Sequence, residues 1–403
     1  MEKIKILVIP SDVRGGVGFY RSLQPHRKLT ELFPDRFEVT MGDKLKLTSS
    51  GDLMKYDIVN IHKGLFSNMD KFREMLKETK ESSTVTVMDI DDSWDLSPTH
   101  PLYKSQKINH TDDIIKQNLT EFEHVTTTTP IFADEIRPFN PNVTVLPNAI
   151  DPNAPEFTIN KKKSDKIRFG FVMGSAHEED VRLMGNFVSK LKPETLEKIQ
   201  IVLCGFDIRG YKRNIDPNTK KVTETPMQPN ETTWYRYEHM VTDNRRIISD
   251  RYKKFLNMYV PGLEYPYYES EHYHRCWTKD LDHYYSHYEN IDVLYAPLEP
   301  KHFNYVKSQL KAIECCFSDT ALIAQNYGPY TIDLVHGRNA LLVDTDKNDT
   351  DWVRFTEELV ADPSKIKMLS ENLHEDLKDK YNLETVTRQR ADFYERIIKE
   401  KRG

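Results

Sequence analysis

Residues 303–314 read FNYVKSQLKAIE, and residues 322–330 read LIAQNYGPY. The first stretch is typical of a polar loop that opens a helix, and the second predicts a buried strand followed by a glycine turn. The N–H groups at the start of such a helix, with Lys307 beside them, favour binding of a diphosphate. Glu314 lies one or two turns deeper and is suited to accept hydrogen bonds from sugar hydroxyls. An ordinary ion pair of Glu314 with Lys311, three residues before it, is the alternative interpretation.

Short apolar runs alternate with helical patterns on both sides of this stretch. The apolar runs predict strands at 4–10, 58–61, 84–89, 124–127, 143–146, 167–173, 199–204, 291–296, 321–324 and 340–343. The longer patterns predict helices at 19–33, 69–79, 109–119, 179–191, 308–317, 351–361, 363–380 and 383–399. This alternation predicts an α/β protein with parallel sheets and helices on both faces. The charged segment 161–165 separates two such series, so we predict a first domain at 1–155 and a second at 165–382, with a ligand-binding cleft between them.

The composition is that of an ordinary, rather polar, globular protein. Of the 403 residues, 30% are charged and 38% are apolar, and a net charge of −6 gives no general attraction to nucleic acid or anionic membranes. The first apolar run has four residues before Pro10, too few for a signal peptide, and no run reaches the length of a membrane span. The four cysteines form no C-x-x-C pair. We therefore expect a cytoplasmic protein with reduced cysteines and no transmembrane segment.

Three polar stretches follow predicted strands of the first domain, at the sheet edge where α/β proteins bind ligands. Their candidate binding residues are Gly15, Gly16 and Gly18, then His62, then Asp91 and Asp92. Glycines let the backbone approach a phosphate or a sugar, and a histidine at a strand end is suited to a sugar hydroxyl or a proton. Clustered carboxylates bind sugar hydroxyls or a metal ion, and we favour the sugar. A strand-to-helix turn, a structural histidine and an acidic helix cap are the structural alternatives.

The second predicted domain carries comparable stretches. Its candidate binding residues are Gly174, Ser175 and His177 after a strand, Asn304, Ser308 and Lys311 in the opening stretch, and Gly328, Pro329 and Tyr330 in the glycine turn. Small residues ahead of a helix make an anion-receptive surface, although a helix cap by Ser175 explains the same pattern. Lys307 and Lys311 are four residues apart, so we expect them to share a helix face that Ser308 would cap.

An insertion at about 206–290 is rich in tyrosine and histidine. Eleven of the 21 tyrosines lie between Tyr235 and Tyr288. Aromatic rings stack on sugars and bases, which favours an acceptor-binding lobe, and a packed aromatic core is the alternative. Residue types that bind zinc also occur here, namely His272, His274, Cys276, His283 and His287. Their spacing matches no strong zinc pattern, so we predict no metal site.

Taken together, these motifs resemble GT4-type glycosyltransferases with the GT-B fold, in the divergent branch found in bacteria and their phages. Residues 146–151, LPNAID, resemble the family's interdomain V-x-P-N-G-I-D, and residues 292–298, DVLYAPL, resemble the strand before its donor loop. Residues 303–314 resemble its F-N-x-x-K-S-x-L-K-x-x-E, and residues 335–343, VHGRNALLV, resemble its d-G-x-N-G-l-l-v. The chain departs from the family at Val306, where the E-x7-E motif has its first acid, and at Thr331, where a glutamate is usual.

The resemblance implies two Rossmann-like domains and a final helix at 383–403 that returns to the first. It implies retaining transfer of a hexose from a nucleotide sugar, with a UDP-sugar favoured, to a glycan or another hydroxyl acceptor. Lys307 would stabilise the leaving diphosphate, Glu314 would bind the nucleotide ribose, and His62 would contact the sugar. No metal ion or other cofactor is expected beside the nucleotide-sugar donor. A phage enzyme that glycosylates hydroxymethyl-pyrimidine DNA, and a non-catalytic nucleotide-sugar-binding module, are the alternatives.

Overall fold

The computed structural model describes residues 2–66, 68–100, 102–174, 177–204, 211–216, 219, 221–227, 231–243, 246–258 and 263–403. The chain divides into two compact units, each with its own parallel sheet. The first unit comprises Met1–Pro152, Lys301–Ile313 and Leu377–Gly403, and the second comprises Asn153–Pro300 and Glu314–Asp376.

The sheet of the first unit has the strand order β2-β1-β3-β4-β5-β6. Its strands, all paired in parallel, are β1 Ile4–Ile9, β2 Phe37–Met41, β3 Ile58–His62, β4 Val85–Asp89, β5 His124–Thr127 and β6 Val143–Val145. Every residue of β3 and β4 is buried, as expected for central strands covered on both faces. Because all strands run in one direction, the residues that follow β1, β3 and β4 meet at one edge.

Helices cover both faces of this sheet. They are Gly16–Gly18, the π-helical turn Phe19–Leu23, Gln24–Leu32, Ser50–Leu53, Met69–Lys80, Tyr103–Ile108, Thr111–Glu121, Pro130–Ile136, His302–Tyr305 and Leu383–Arg402. Local sequence sets several of the ends. Asn68 accepts a hydrogen bond from the N–H of Lys71, and Thr129 accepts one from the N–H of Phe132, with Pro130 at the first helical position.

The last helix belongs to the core of the first unit. Phe393, Tyr394 and Ile397 are at most 3% exposed and pack with Ile6 and Val8 of β1 in one hydrophobic cluster. Burying side chains of this size stabilises a fold by about 1.5–3 kcal/mol each. The two ends of the described chain therefore share one core.

The sheet of the second unit has the order β11-β8-β7-β12-β13-β14, and β9 and β10 form a separate antiparallel pair. The strands are β7 Ile167–Val172, β8 Ile199–Cys204, β9 Tyr211–Ile215, β10 Val222–Pro226, β11 Tyr273–Cys276, β12 Val293–Ala296, β13 Ala321–Gln325 and β14 Leu341–Val343. The edge strand β11 comes from the tyrosine-rich insertion, so the insertion contributes to the sheet itself.

The helices of the second unit follow the same alternation. They are Pro155–Phe157, Glu178–Arg182, Phe187–Lys190, Pro193–Lys198, Thr233–Thr242, Asp250–Met258, Leu281–Tyr284, the 3-10 segment Tyr285–Asn290, the 3-10 turn Gly328–Thr331, Asp351–Ala361 and Ser364–Leu377. The helix Leu310–Cys316 passes from the first unit into the second.

Much of the insertion is an aromatic core around one buried carboxylate. Tyr252 and Tyr273 are at most 2% exposed, and their hydroxyls donate to Oε2 of Glu238 at 2.5 and 3.0 Å. Nη1 of Arg275 donates to the same oxygen at 3.2 Å. These contacts account for several of the tyrosines by packing, as the core interpretation expects.

Four strands and two helices differ from the prediction. The sequence patterns missed β2, β9, β10 and β11. The helix predicted at 179–191 is divided into Glu178–Arg182 and Phe187–Lys190, and the helix predicted at 308–317 begins at Leu310. The residues before it form the short helix His302–Tyr305 and a loop, with Val306 only 1% exposed in the first unit's core. Burial of Val306 holds this segment in place and delays the helix.

Candidate functional site

In the first unit, His62 ends β3 at the carboxyl edge of the sheet and is buried. Its Nε2 lies 3.0 Å from Oδ1 of Asp91, and its Nδ1 lies 2.6 Å from Oγ of Ser11. An ionised carboxylate only accepts hydrogen bonds, so Nε2 carries a proton and, in the neutral ring, Nδ1 accepts from Ser11. Both ring nitrogens are thus engaged. Among Ser11, His62 and Asp91, only Ser11 is exposed, so a ligand would contact the Ser11 hydroxyl.

Lys63 continues this network in a left-handed backbone conformation, with φ of 60°. Its Nζ lies 3.1 Å from Oδ1 of Asp91 and 3.6 Å from Oδ2 of Asp92. Burial would lower the pKa of Lys63, but the charges of Asp91 and Asp92 outweigh it and raise that pKa. Burial would raise the pKa of Asp91, and Lys63 followed by His62 lowers it instead. The sequence pattern indicated the two aspartates as candidates but not Lys63, which the structure adds to the network.

A buried ion pair lies next to this network, and sequence patterns gave no sign of it. Arg21, on the π-helical turn, donates from Nε and Nη2 to the two carboxylate oxygens of Asp89 at 3.0 and 2.6 Å. Its Nη1 donates to the carbonyl of Leu146 at 2.7 Å and to Oδ1 of Asn148 at 3.1 Å. Thr126 also donates to Asp89, at 2.6 Å. Burial would raise the pKa of Asp89, and the Arg21 guanidinium holds it below its usual range.

The three glycines after β1 do not have the same role. A Cβ on Gly18 would lie 1.6 Å from the backbone oxygen of Asp12, and one on Gly15 would lie 1.9 Å from Oδ2 of the same residue. A Cβ on Gly16 would meet nothing within 4 Å. Close packing of the loop therefore requires Gly18, whose Cβ would meet backbone, whereas a Cβ on Gly15 would meet the end of a side chain and Gly16 faces open space. Ligand binding by the three glycines stays a prediction.

The segment 301–313, which carries the stretch quoted first, belongs to the first unit. Nζ of Lys307 lies 4.8 Å from the ring centroid of Phe303, in a loop and not in the helix. The predicted face shared by Lys307 and Lys311 is therefore wrong. The Ser308 cap is wrong too, because its hydroxyl accepts from Nδ2 of Asn148 at 3.0 Å, two residues before the helix starts.

Other side chains of this segment contact acidic and aromatic groups of the first unit. His302 lies between two carboxylates, with Nδ1 3.4 Å from Asp95 and Nε2 3.2 Å from Glu135. Burial raises the pKa of Glu135, which the His302 charge opposes. The predicted Asn304 is buried, with 6% of its surface exposed. The acidic pair and His302 were not predicted, because the residues are distant in sequence.

In the second unit, the loop after β7 is anchored from beneath. The hydroxyl of Tyr237 donates to the carbonyl of Gly174 at 3.0 Å. Nδ1 of His177 lies 2.6 Å from Oδ2 of Asp180, whose Oδ1 accepts from the N–H of Glu299 at 2.7 Å. A Cβ on Gly174 would meet nothing within 4 Å, so the peptide at Gly174 borders open space. Ser175 lies outside the described residues.

Glu314 is fully buried in the second unit, on the helix Leu310–Cys316. Its Oε2 accepts from the hydroxyl of Tyr288 at 2.6 Å, and its backbone carbonyl accepts from the hydroxyl of Tyr285 at 2.7 Å. Burial and the nearby Glu314 charge raise the pKa of Tyr288 well above its usual range, so it stays a donor at neutral pH. Tyr288 and Tyr285 are contacts that the sequence analysis missed.

The predicted glycine turn is a buried 3-10 turn after β13. Gly328 has φ of 56°, a conformation that favours glycine, and Pro329 and Tyr330 follow it in the buried turn. Thr331 fills the position where a glutamate was expected by resemblance, and its hydroxyl donates to the carbonyl of Gly328 at 2.8 Å. Thr331 therefore closes the turn on itself.

Comparison with solved structures identifies the class of fold. The chain superimposes over nearly its whole length on HepE of Anabaena in complex with UDP, with a TM-score of 0.57, 11% identity, and 97% and 99% of the two chains covered. Sucrose-phosphate synthase of Thermosynechococcus elongatus gives a TM-score of 0.61 at 12% identity, covering 99% and 100%. An α-glucosyltransferase in complex with UDP and a 13-mer DNA containing an HMU base gives 0.54 at 12% identity, covering 97% and 99%.

These neighbours establish that the protein has the GT-B fold of two Rossmann-like sheets, as the sequence analysis expected. No protein-family model matches the chain, and no curated protein matches its sequence. A search for helices able to cross a membrane finds none in the described part of the chain.

Proposed function

We propose that the protein is a retaining GT4-type glycosyltransferase that transfers a hexose from a UDP-sugar to a hydroxyl of a glycan or a similar acceptor. The observation that supports this most is similarity along 97–99% of the chain to proteins of this fold, two of them with UDP bound. One of them is HepE of Anabaena in complex with UDP-glucose. Beyond the fold, we propose a UDP-sugar as the donor and assign roles to individual residues.

Lys307 is the proposed partner of the departing diphosphate. Lys307 lies in the loop that leads into the helix starting at Leu310, three residues before its first residue. We therefore propose that the Lys307 ammonium and the first N–H groups of that helix act on the same diphosphate. Positive charge fixed before the reaction stabilises negative charge that develops on the leaving group. In a retaining transfer the acceptor then attacks from the face that the diphosphate leaves, which demands close positioning of both groups.

Glu314 is the proposed partner of the nucleotide ribose. Its carboxylate is fully buried and already accepts from Tyr288. A ribose hydroxyl would therefore have to join or replace an existing partner of that carboxylate. Gly174, His177, Lys311 and the Gly328 turn are the proposed further contacts to the donor.

The first unit is proposed to serve the sugar and the acceptor. Because His62 is held by Ser11 and Asp91, its role is to position the exposed Ser11 hydroxyl and the Lys63–Asp91 pair. Asp92, one-third exposed, and Gly16 complete the polar edge offered to a sugar.

Modified DNA is the second candidate acceptor. It is favoured by the α-glucosyltransferase neighbour, whose structure contains a 13-mer DNA with an HMU base. The net charge of −6 disfavours a general affinity for DNA, so this acceptor would require local basic groups.

The proposal is tested by following sugar release from radiolabelled UDP-hexoses, with glycan, glycerol-type and hydroxymethyl-uracil DNA acceptors in parallel. Lys307→Ala should lower turnover at least about tenfold, with an unchanged melting temperature, because the leaving diphosphate loses a fixed positive charge. Lys301→Ala is the matched control, since it lies in the same segment and its Nζ contacts Thr99. Wild-type turnover in Lys307→Ala would refute the assigned role.

The same assay separates an enzyme from a binding module. A specific UDP-sugar should raise the melting temperature by mass action in either case. Hydrolysis or transfer of the sugar supports the enzyme, whereas binding without either reaction, across all acceptors, leaves only the module.

A further inference from the structure

Two cysteines meet at the carboxyl edge of the second unit's sheet. Cys204 is the last residue of β8 and Cys276 is the last residue of β11, and the two are register partners in neighbouring parallel strands. Side chains of register partners project from the same face of a sheet. All four cysteines of the chain are described, and none forms a disulfide.

His287 completes a compact set of donor atoms with these thiols. It lies in the 3-10 segment Tyr285–Asn290, and one of its ring nitrogens and the two sulfur atoms lie within 4.8 Å of one another. Cys204 and His287 are 0% exposed, and Cys276 is 9% exposed. Three residues that are distant in sequence therefore place metal-binding atoms in one buried space.

The imidazole of His287 is polar, buried and unsatisfied. Both Nδ1 and Nε2 are inaccessible, and neither has a hydrogen-bond partner in the described ranges. Leaving a buried donor or acceptor without a partner costs about 1–3 kcal/mol. Because such groups are rare in native proteins, a buried imidazole whose polar neighbours are the two thiols indicates a ligand that the polypeptide does not supply.

A second histidine of the same kind lies beside this set. His274 stands two residues before Cys276 on β11, so its side chain projects from the same face of the strand. It is 6% exposed, and its Nδ1 is buried without a partner among the residues described. Its ring packs edge-on against Tyr267, with centroids 4.9 Å apart. His274 lies outside the group of three but on the same face of β11 as Cys276, which makes it the candidate for a fourth donor.

We propose that Cys204, Cys276, His287 and His274 bind a structural zinc ion. Thiolates and imidazoles in a Cys2His2 set are ligands that Zn²⁺ prefers, in a tetrahedral arrangement. Bond lengths of about 2.3 Å to sulfur and 2.0 Å to nitrogen place neighbouring donor atoms about 3.5–3.8 Å apart. The three atoms now within 4.8 Å reach that spacing with shifts of about 1 Å or less.

The charges of such a site suit its burial. Binding converts two thiols into thiolates and releases two protons to solvent. Two thiolates and two neutral imidazoles around Zn²⁺ carry no net charge, so a dry interior imposes a small penalty. Four protein ligands leave no open position, which makes the role structural and not catalytic.

The zinc ion would fix the edge strand β11 and the 3-10 segment Tyr285–Asn290, which carries His287. It would tie β11, from the insertion, to β8 and to the 3-10 segment. Tyr288, next to His287 in that segment, donates to Glu314. The zinc site does not rest on the proposed transferase activity, and metal content measures it without any substrate.

The first test is the metal content of untagged protein purified without chelators. Plasma mass spectrometry should find about one zinc per chain. After removal of zinc with a chelator, added Co²⁺ should give the near-ultraviolet thiolate-to-cobalt charge-transfer band and strong visible bands of a tetrahedral site. Absence of zinc from the wild type together with absence of those bands would overturn the proposal. So would an intact mass two hydrogens lower, with a Cys204–Cys276 cross-link in the peptide map.

Variants identify the ligands. Cys276→Ser and His287→Ala should each reduce bound zinc to below about one tenth per chain, and His274→Ala should weaken binding less. Cys316→Ser, another buried cysteine, and His283→Ala, an exposed histidine four residues before His287, are controls that should keep the metal. Equal zinc in ligand and control variants would contradict the assignment. If a ligand variant does not fold, the cobalt spectrum of the wild type still decides.

Discussion

Arg21→Met removes the guanidinium from a buried ion pair while keeping a side chain of similar length. Arg21 and Asp89 each expose only 1% of their side chains, and Arg21 makes two hydrogen bonds to Asp89 and one each to Leu146 and Asn148. Breaking a buried pair by removing one partner costs about 3–5 kcal/mol, because the remaining charge stays buried. We expect a loss of about 4 kcal/mol, since Thr126 still donates to Asp89.

For a unit of about 190 residues, this loss lowers the melting temperature by about 8–16 °C. Scanning calorimetry at pH 7 measures it on the transition of the first unit. Arg27→Met is the matched control on the next turns of helix, where an exposed pair with Glu31 at 3.8 Å contributes at most about 1 kcal/mol. The double variant Arg21→Met with Asp89→Asn should recover part of the loss, because the stranded charge is gone.

The pH dependence of the difference has a definite sign. In the wild type the pKa of Asp89 is lowered, so the pair's contribution is complete above the unfolded pKa of about 3.9 and is lost as pH falls through the folded value. In Arg21→Met the Arg21 charge no longer opposes the effect of burial on Asp89. The pKa of Asp89 therefore rises, and the Asp89 carboxylate is protonated more readily. The difference in free energy of unfolding between the wild type and Arg21→Met should therefore become smaller as pH falls from about 7 towards 4. A gap no larger than that of Arg27→Met, or one that widens with acid, would refute the reasoning.

Three further predictions concern other parts of the two units. Gly18→Ala should lower the melting temperature by several degrees, because the new Cβ would lie 1.6 Å from the backbone oxygen of Asp12, whereas Gly16→Ala meets nothing within 4 Å and should be neutral; equal melting temperatures would contradict the clash. Tyr288→Phe removes a 2.6 Å hydrogen bond to a buried carboxylate, so we expect a loss of about 1–3 kcal/mol in urea unfolding and weaker UDP binding by calorimetry; unchanged stability would show that the bond contributes nothing net. Burial lowers the pKa of Lys161 to about 8, so this lysine binds its proton less tightly in the folded state than in the unfolded state. Its contribution to stability therefore rises between about pH 8 and 10. Lys161→Met should flatten the rise of the melting temperature with pH over this range, and an unchanged slope would count against the prediction.

Local patterns predicted most of the sheet framework and little of the polar network. The strand predicted at 58–61 is confirmed as Ile58–His62, because a buried central strand is a continuous apolar run. β11 was missed, because two of the four residues of Tyr273–Cys276, His274 and Arg275, are strongly polar, and the burial of Arg275 depends on a distant partner, Glu238. The same reason hides the Arg21–Asp89 pair, whose members are 68 residues apart. Sequence spacing reports local geometry, whereas these contacts exist only after the sheet has formed.

Resemblance to a family located the polar loop at 303–314 but misplaced its geometry. The pattern led us to continue one helix from Ser308, although Val306 is drawn into a hydrophobic core and Ser308 bonds to Asn148. A motif gives residue types and their spacing, but it does not show which of these residues become buried in a hydrophobic core, as Val306 does. The buried state of Glu314 and its two tyrosine contacts were invisible for the same reason.

The shared core of β1 and the last helix has a consequence for synthesis on the ribosome. Phe393, Tyr394 and Ile397 are translated nearly 400 codons after Ile6 and Val8. Until then one face of the first unit's sheet lacks the apolar cover of the last helix, and transiently exposed apolar surface of this kind is prone to aggregation. Premature stop codons ahead of the last helix should therefore yield aggregating fragments, not a shortened working protein.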